Sequence, residues 1–415
     1  MNGSAPAKAS SIGPGPGAPW PTPAQRPEQP LTLLFLVHYP PVAGASMRGF
    51  AELLVGGMAG RGHRCRTLTA PLRLGRLARP GTGLAKWLGY IDQFLLFPHQ
   101  LRRTVSQLPP DALVVVVDQA LGPWIPHLGG HRHLVHVHDL LALRSSLGEF
   151  PQNRLGFSGR LYQRWIRRGF SRARHFLCVS EATRRDLQRL LPPAVLSRAQ
   201  LGVLLNPLLP AFQQADPHRP RQPFLLHLGG TWYKNRLAVL AIFERLAAEP
   251  AFADLHLEII GPPEPACEAW LQQRPTLARR IRRRQGLQTA AIIHLYETAA
   301  ALLFPSIAEG FGWPVLEALA CGCPVVTTRQ APMTEVAGAA ATYLEPPPPG
   351  LAPDPDWVER AALQVAALLQ RPPEERREAR RLGLERLEAF GLDAFFERLE
   401  ACYRDVVAAA DRPAG

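Results

Sequence analysis

Lysine is nearly missing from this 415-residue chain: Lys8, Lys86 and Lys234 are its only three, although Lys and Arg together number 47. Arginine therefore carries the positive charge, and a lysine beside a glycine turn stands out as a compact point cation. Cysteine is scarce as well, with six residues scattered singly apart from Cys321 and Cys323. That pattern offers neither a disulfide framework nor paired metal-ligand spacing, and it suits a reducing compartment. No apolar run reaches the roughly 18 to 20 residues needed to cross a bilayer, so the expectation is a cytoplasmic protein, soluble or peripheral on the membrane. A dinucleotide G-x-G-x-x-G is missing after the first strand. Residues 1–29, rich in Pro, Gly, Ala and Ser, lack the apolar core of a signal peptide and read as a disordered tail.

What is present is globular: 47% apolar and 20% charged residues, in a chain long enough for two domains with separate cores. The net charge of +13 is unevenly placed, with 23 Arg and Lys against 8 Asp and Glu between Leu31 and Leu205. A polyanionic acceptor or an anionic membrane surface matches that bias. No aromatic-interleaved RNA motif accompanies it, so nucleic acid is set aside.

Leu33 to Val37 is a short apolar run suited to a buried strand. A turn through Gly44 and Ser46 follows, then a periodic helix from Met47 to Met58 and a second strand over Arg64 to Thr69. Strand, Gly turn and helix make a Rossmann-type opening. Residues 71–103 set Arg73, Arg76, Arg79 and Lys86 beside the apolar-aromatic segment Trp87 to Pro98. Two readings stay open there, a membrane-surface element and a core helix with a solvated face. Ala112 to Val117 and Leu134 to Val137 are further strands. The second ends in His138-Asp139, at the strand end where open α/β sheets bind ligands, and His136 reads as structural. After the strand Phe176 to Val179, Ser180 caps a helix from Glu181 to Leu190. Leu201 to Pro207 leads out of the first domain into a polar, Pro-bearing linker. Phe224 to Leu228 then repeats the opening logic with Gly229, Gly230, Lys234 and Asn235 before an amphipathic helix.

The chain is organised around Phe304 to Val326. A buried strand ends at Phe304, a Gly-rich loop follows, and a short helix leads to a second strand. Pro314 suits the first turn of that helix, where its missing N–H costs nothing. Gly310 and Gly312 allow a ligand close to the backbone. The N–H groups of the first turn face the loop and make an anion site. Glu309 stands before the helix and Glu317 lies eight residues on, inside it.

Glu309, Gly310, Phe311, Gly312, Pro314 and Glu317, together with Glu335-Val336-Ala337-Gly338, resemble the signature of retaining family 4 glycosyltransferases of the GT-B fold. The resemblance implies an α/β architecture of two Rossmann-like domains facing across a cleft. It spans residues 30–207 for an acceptor domain, 208–221 for a linker and 222–390 for a nucleotide-sugar domain, with a C-terminal helix in 391–415 returning to the first domain. It further implies transfer of a sugar from a nucleotide diphosphate donor to a glycan or lipid-linked acceptor, with retention of configuration and no cofactor or metal.

Residue by residue, the resemblance gives Glu309 the donor sugar and the charge developing at its anomeric carbon, and Glu317 the ribose hydroxyls. His138 becomes a hydrogen-bond donor to sugar hydroxyls, and Lys234 the cation for the departing diphosphate. Gly44, Gly230, Asn235 and the backbone at Phe311, Gly312 and Trp313 complete the donor contacts. Ser180 and Thr183 also match the family and read as architecture. The chain departs from the family where an Arg usually precedes the Lys by five residues. Gly229 stands there, and Arg236 reads as facing away along its helix. The stretch Arg279 to Arg284 replaces a strand and Gly expected before the next helix, compressing the wall for the base. Asp354-Pro355-Asp356 has the spacing of a metal-binding pair, yet its position before a helix favours capping. Two other readings compete: a hydrolase using Glu309 and Glu317 as its carboxyl pair, and an inactive scaffold of the same fold.

Overall fold

The computed structural model describes residues 29–40, 45–79 and 82–409. Six parallel strands form the first sheet: β1 (Thr32–Leu36), β2 (Arg64–Leu68), β3 (Leu113–Val116), β4 (His133–Val137), β5 (His175–Cys178) and β6 (Gln200–Val203), in the order β2-β1-β3-β4-β5-β6. Six more form the second: β7 (Gln222–Leu228), β8 (His256–Ile260), β9 (Ile281–Arg284), β10 (Ala299–Phe304), β11 (Val325–Thr328) and β12 (Ala341–Leu344), in the order β12-β11-β10-β7-β8-β9. Counted from β7, that is the doubly wound order whose switch point lies between the first and fourth strands, here β7 and β10. The central strands read as apolar runs because helices cover both faces of each sheet.

The helices that matter for the site are α1 (Ala45–Gly60), α2 (Gly83–Ile91), α3 (Phe157–Phe170), α4 (Glu181–Leu190), α5 (Arg236–Ala248), α6 (Trp313–Ala320) and α7 (Leu392–Ala409). Helix α7 buries Phe395, Phe396, Leu399 and Tyr403 in the core of the first sheet, although it follows the second in sequence. Tyr403 also holds His136, whose Nε2 lies 2.9 Å from the phenol oxygen. Burial drives that imidazole down to about 3, so it is a neutral core group.

Two elements differ from the sequence reading. Gln200–Val203 is the edge strand β6, paired with β5, rather than a lead-out segment. The Arg-rich stretch is itself the missing strand, β9, followed by a left-handed Gly286. Arg282 and Arg284 point to one side of that edge and engage the buried carboxylate of Glu258 on β8, with Arg284 Nε 2.9 Å away. Arg283, on the other face, reaches Glu268. An edge strand with a period of two can be built from arginines when the neighbouring strand supplies the acid.

Candidate functional site

The loop after β10 sits at the centre of the cleft. Ser306 Oγ donates to Glu309 Oε1 at 2.7 Å, and Lys234 Nζ lies 2.7 Å from the same oxygen. Both side chains of the Lys234–Glu309 pair are nearly buried. With Oε1 taken twice, Oε2 is the oxygen left to act on a ligand. Lys234 also stands over the Phe304 ring, 4.5 Å from its centroid, and uses only one of its three N–H donors on Glu309.

Gly312 caps α6 with a positive φ of +98°, a conformation that glycine adopts without penalty. The first bond of the helix runs from Val315 N to Gly312 O at 2.9 Å, so the N–H groups of Phe311, Gly312 and Trp313 lie ahead of it. The Phe311 ring is buried against Trp313 and Phe390, which leaves only its backbone for a ligand. One turn and a half further, Glu317 accepts from the Tyr296 hydroxyl at 3.0 Å. Burial raises the Glu317 carboxyl to about 7, against the opposing hydrogen bond of Tyr296 and the charge of Lys234. The two glutamates therefore occupy unlike environments, one paired with a cation and one raised into the neutral pH range by burial.

The first domain meets this loop directly. A Cβ on Gly310 would come within 1.9 Å of the His138 carbonyl oxygen, so only glycine fits there. Ser180 Oγ and Thr183 Oγ1 both donate to Gly310 O, at 2.7 and 3.1 Å. The Glu335 carboxylate accepts from the N–H groups of Glu181 and Ala182 at 2.7 and 2.8 Å, placing an anion on the N-terminus of α4. Phe150 against Trp232, with ring centroids 4.8 Å apart, plugs the gap between the two domains. The Ser180-x-x-Thr183 stretch thus latches the domains together in addition to capping its own helix. Sequence alone carried no sign of that, because the partner lies 127 to 130 residues away.

His138 is buried, and its Nε2 lies 2.9 Å from the Val117 carbonyl. A carbonyl can only accept, so that nitrogen carries the ring proton. The expected donation to a sugar is corrected: the ring can meet a hydroxyl only through Nδ1, as an acceptor. Its neighbour Asp139, read from the sequence as part of the same polar pair but given no role of its own, has a buried carboxyl as well. Burial first, then the charges of Asp118 and Glu309, push its carboxyl up to about 6. Asp118 behaves oppositely. Burial pushes it up, but the hydrogen bond and charge of His38 outweigh that and hold it below its ordinary value, with His38 Nε2 3.0 Å away.

Asn235 adopts a left-handed φ of +58° and donates to the Pro305 carbonyl at 3.2 Å, tying the turn after β7 to the central loop. Arg236 departs from expectation. Rather than facing away, it is buried with its guanidinium beneath the glycine turn, donating to the carbonyls of Gly229 and Pro262. Gly230 lies against Pro262 and that guanidinium. Gly44 falls outside the described residues, as do the side chain of Ser46 and the expected tail up to residue 28. Asp354 caps its helix, with Oδ1 accepting from Trp357 N at 2.7 Å.

Two parallel-sheet domains, closed over a carboxylate, a lysine and a helix N-terminus, define the GT-B class of fold. Family models match along both halves. One, described as "Glycosyltransferase Family 4", covers residues 50–203, and one described as "Glycosyl transferases group 1" covers residues 222–370. Together they take in well over half of the chain, which belongs to the glycosyltransferases of this fold. Over 77 residues it is 38% identical to the O-antigen chain mannosyltransferase B of Escherichia coli, 19% of this chain and 18% of that protein. Over 228 residues it is 25% identical to the Escherichia coli serotype-specific mannosyltransferase WbdA, 50% of this chain and 27% of that one. The matched stretches thus span less than two thirds of these relatives' own lengths. Among solved structures, the sucrose-phosphate synthase of Thermosynechococcus elongatus aligns with a TM-score of 0.67 at 17% identity, covering 91% of this chain and all of that one. WaaG, a glycosyltransferase involved in lipopolysaccharide biosynthesis, aligns with a TM-score of 0.64 at 17% identity, covering 92% of this chain and 100% of that one.

Proposed function

We propose that the protein transfers a sugar from a nucleotide diphosphate donor to a glycan or lipid-linked acceptor, retaining the anomeric configuration and using no metal. The observation that carries this reading is the Lys234–Glu309 pair at 2.7 Å, set in front of the N-terminus of α6. A cation with two N–H donors beyond the one spent on Glu309, and a row of helix N–H groups, can take the oxygens of a diphosphate. As the bond to the sugar breaks, negative charge grows on that diphosphate and both contacts strengthen, which lowers the barrier. The departing phosphate oxygen takes the acceptor's proton from the same face, so the new bond forms on the side that the leaving group vacates. Glu309 Oε2 stabilises the positive charge developing at the anomeric carbon, and Glu317 holds the ribose.

The relatives named as mannosyltransferases make a mannosyl donor the first to test. A thermal-shift screen against UDP-, GDP- and ADP-sugars reads this directly, since a ligand at ~100 times its Kd adds roughly 2.7 kcal/mol. One base should stand out, and no stabilisation by any of them would count against the donor site. Transfer should continue in EDTA. Complete loss of activity, restored by Mn²⁺ or Mg²⁺, would return attention to Asp354 and Asp356. Independently of this chemistry, the basic first domain suits contact with an anionic membrane.

A further inference from the structure

Twelve large apolar side chains are exposed among the described residues, and nine of them fall within 72–96 and 157–165. These two segments are neighbours. Tyr90 stacks on Tyr162 with centroids 6.1 Å apart, and Phe94 packs against Trp165 at 4.6 Å. Outward of that aromatic seam, α2 and the π-turn after it (Asp92–Leu96) present Leu84, Trp87 and Leu95. Helix α3 presents Phe157, Leu161 and Trp165, spaced four apart and so along one stripe. Phe157 and Leu95 are more than 70% exposed, far from the ordinary state of such side chains.

The charge around this apolar ridge has one sign. Residues 71–103 hold six Arg and Lys and a single acid, and residues 150–174 hold seven Arg and no acid. The one acid, Asp92, is buried. It accepts from the N–H groups of Arg73, Leu74 and Gly75 at 2.9 to 3.0 Å and from the Tyr39 hydroxyl, stapling the loop to the helix. The surface itself therefore shows only cations, among them the exposed Arg76, Lys86, Arg160, Arg164 and Arg168.

We infer that the α2–α3 ridge inserts into the interface of an anionic bilayer. Leucine, phenylalanine and tryptophan enter the acyl boundary while the flanking arginines meet lipid phosphates. A second copy of the chain is disfavoured, because two such faces repel. Nucleic acid would match the charge but leave the leucines without partners. The ridge also lies near the cleft: Phe150 plugs the domain interface, and Phe157 is seven residues on, at most about 25 Å along the chain. An acceptor held in the membrane would thus be presented close to the donor. That last step rests on the proposed transferase reading, whereas the membrane contact does not.

The test is vesicle co-sedimentation of the full chain, without donor or acceptor, on phosphatidylglycerol-containing and pure phosphatidylcholine vesicles. Binding is expected on the anionic vesicles alone and should weaken as salt rises. The double variants Trp87→Gln with Leu95→Gln, and Phe157→Ser with Leu161→Gln, should each lower the partition coefficient roughly tenfold or more. Their melting temperature and nucleotide-sugar affinity should stay unchanged, since these side chains are exposed and none belongs to the donor site. Equal binding to both vesicle types, binding unaffected by the variants, or no binding at all would overturn the inference. So would concentration-dependent dimerisation that the variants abolish in the absence of lipid.

Discussion

The two halves share one plan of parallel strands and covering helices, and they differ in what becomes of their charge. In the second half, carboxylates are drawn inward and paired: Glu309 with Lys234, Glu258 with Arg282 and Arg284, Glu297 with Arg219. In the first half, apart from the network of Arg144 and Arg189 with Glu149 and Asp186 and the pairing of Glu181 with Arg184 and Arg185, long stretches of arginine stand outward with no acid near them in sequence. Buried pairing costs desolvation and is kept where geometry matters. Outward arginine costs little and builds a long-range positive field. The same scaffold thus serves a small anionic ligand in one half and an extended anionic surface in the other.

The comparison breaks hardest at Glu309. Glu309→Gln keeps the size and the Ser306 hydrogen bond but removes the charge. Turnover should fall roughly a hundred- to a thousandfold, as for other groups that act mainly in the transition state, while donor affinity changes little. An equal loss in both would show ordinary ground-state binding. Next comes Lys234→Ala. A charged hydrogen bond is worth ~1.5 to 3 kcal/mol, so kcat/KM should drop roughly ten- to a hundredfold. This variant also leaves the buried Glu309 without its cation, as Glu309→Gln leaves the buried Lys234 without its anion, so both should melt lower than the parent. Unchanged kinetics at saturating donor would remove Lys234 from the site.

How far the sequence reached differs between the halves for the same reason. The central loop, the strands at its sides and the lysine turn were legible because strand, glycine turn and helix are local patterns. The tight Glu309–Lys234 contact could be anticipated only through the family resemblance, since 75 residues separate the partners. Helix α7, Leu392–Ala409, lies inside the C-terminal segment 391–415. Three short edge strands were not seen: β6, where Gly202 interrupts four residues, β9, because three arginines do not read as a strand, and β12, a run of only four residues before the proline-rich loop. The burial of Arg236, the proton on His138 Nε2 and the latch from Ser180 to Gly310 all depend on long-range packing. No periodicity announces any of them. The Phe157 stripe escaped notice as well, although its spacing of four was there to be read.

The latch supplies a more modest test of how the halves meet. Gly310→Ala would bring a methyl group against the His138 carbonyl, so the central loop must retreat from the first domain. Overpacking of this kind costs typically ~1 to 3 kcal/mol. The expected result is a roughly tenfold lower kcat/KM and a larger radius of gyration by small-angle scattering. Ser180→Ala, which removes one of two donors to Gly310, should show the same trend more weakly. A variant as compact and as active as the parent would mean that the contact is incidental.

The smallest effect on turnover is expected at Glu317, and it distinguishes the two carboxylates most sharply. Its carboxyl stands at about 7 in the fold against an ordinary 4.5, so the folded state holds a proton that the unfolded chain releases earlier. The stability this group contributes is complete below about 4.5 and is lost as pH rises through about 7, where the buried carboxylate carries its full penalty. Glu317→Gln keeps an acceptor for the Tyr296 hydroxyl and removes that penalty. At pH 8 the variant should be more stable than the parent by on the order of 2 kcal/mol, with the gap closing towards pH 4. Ligand binding should move the other way. If the ionised carboxylate takes the ribose hydroxyls, the parent's affinity for a nucleotide sugar rises between pH 6 and 8, whereas the variant binds more weakly and with a flat profile. A nucleotide sugar is the right probe, because its diphosphate is fully ionised throughout and adds no titration of its own. A parent profile as flat as the variant's would take Glu317 out of ribose binding, and turnover lost with affinity intact would exchange the roles given to the two glutamates.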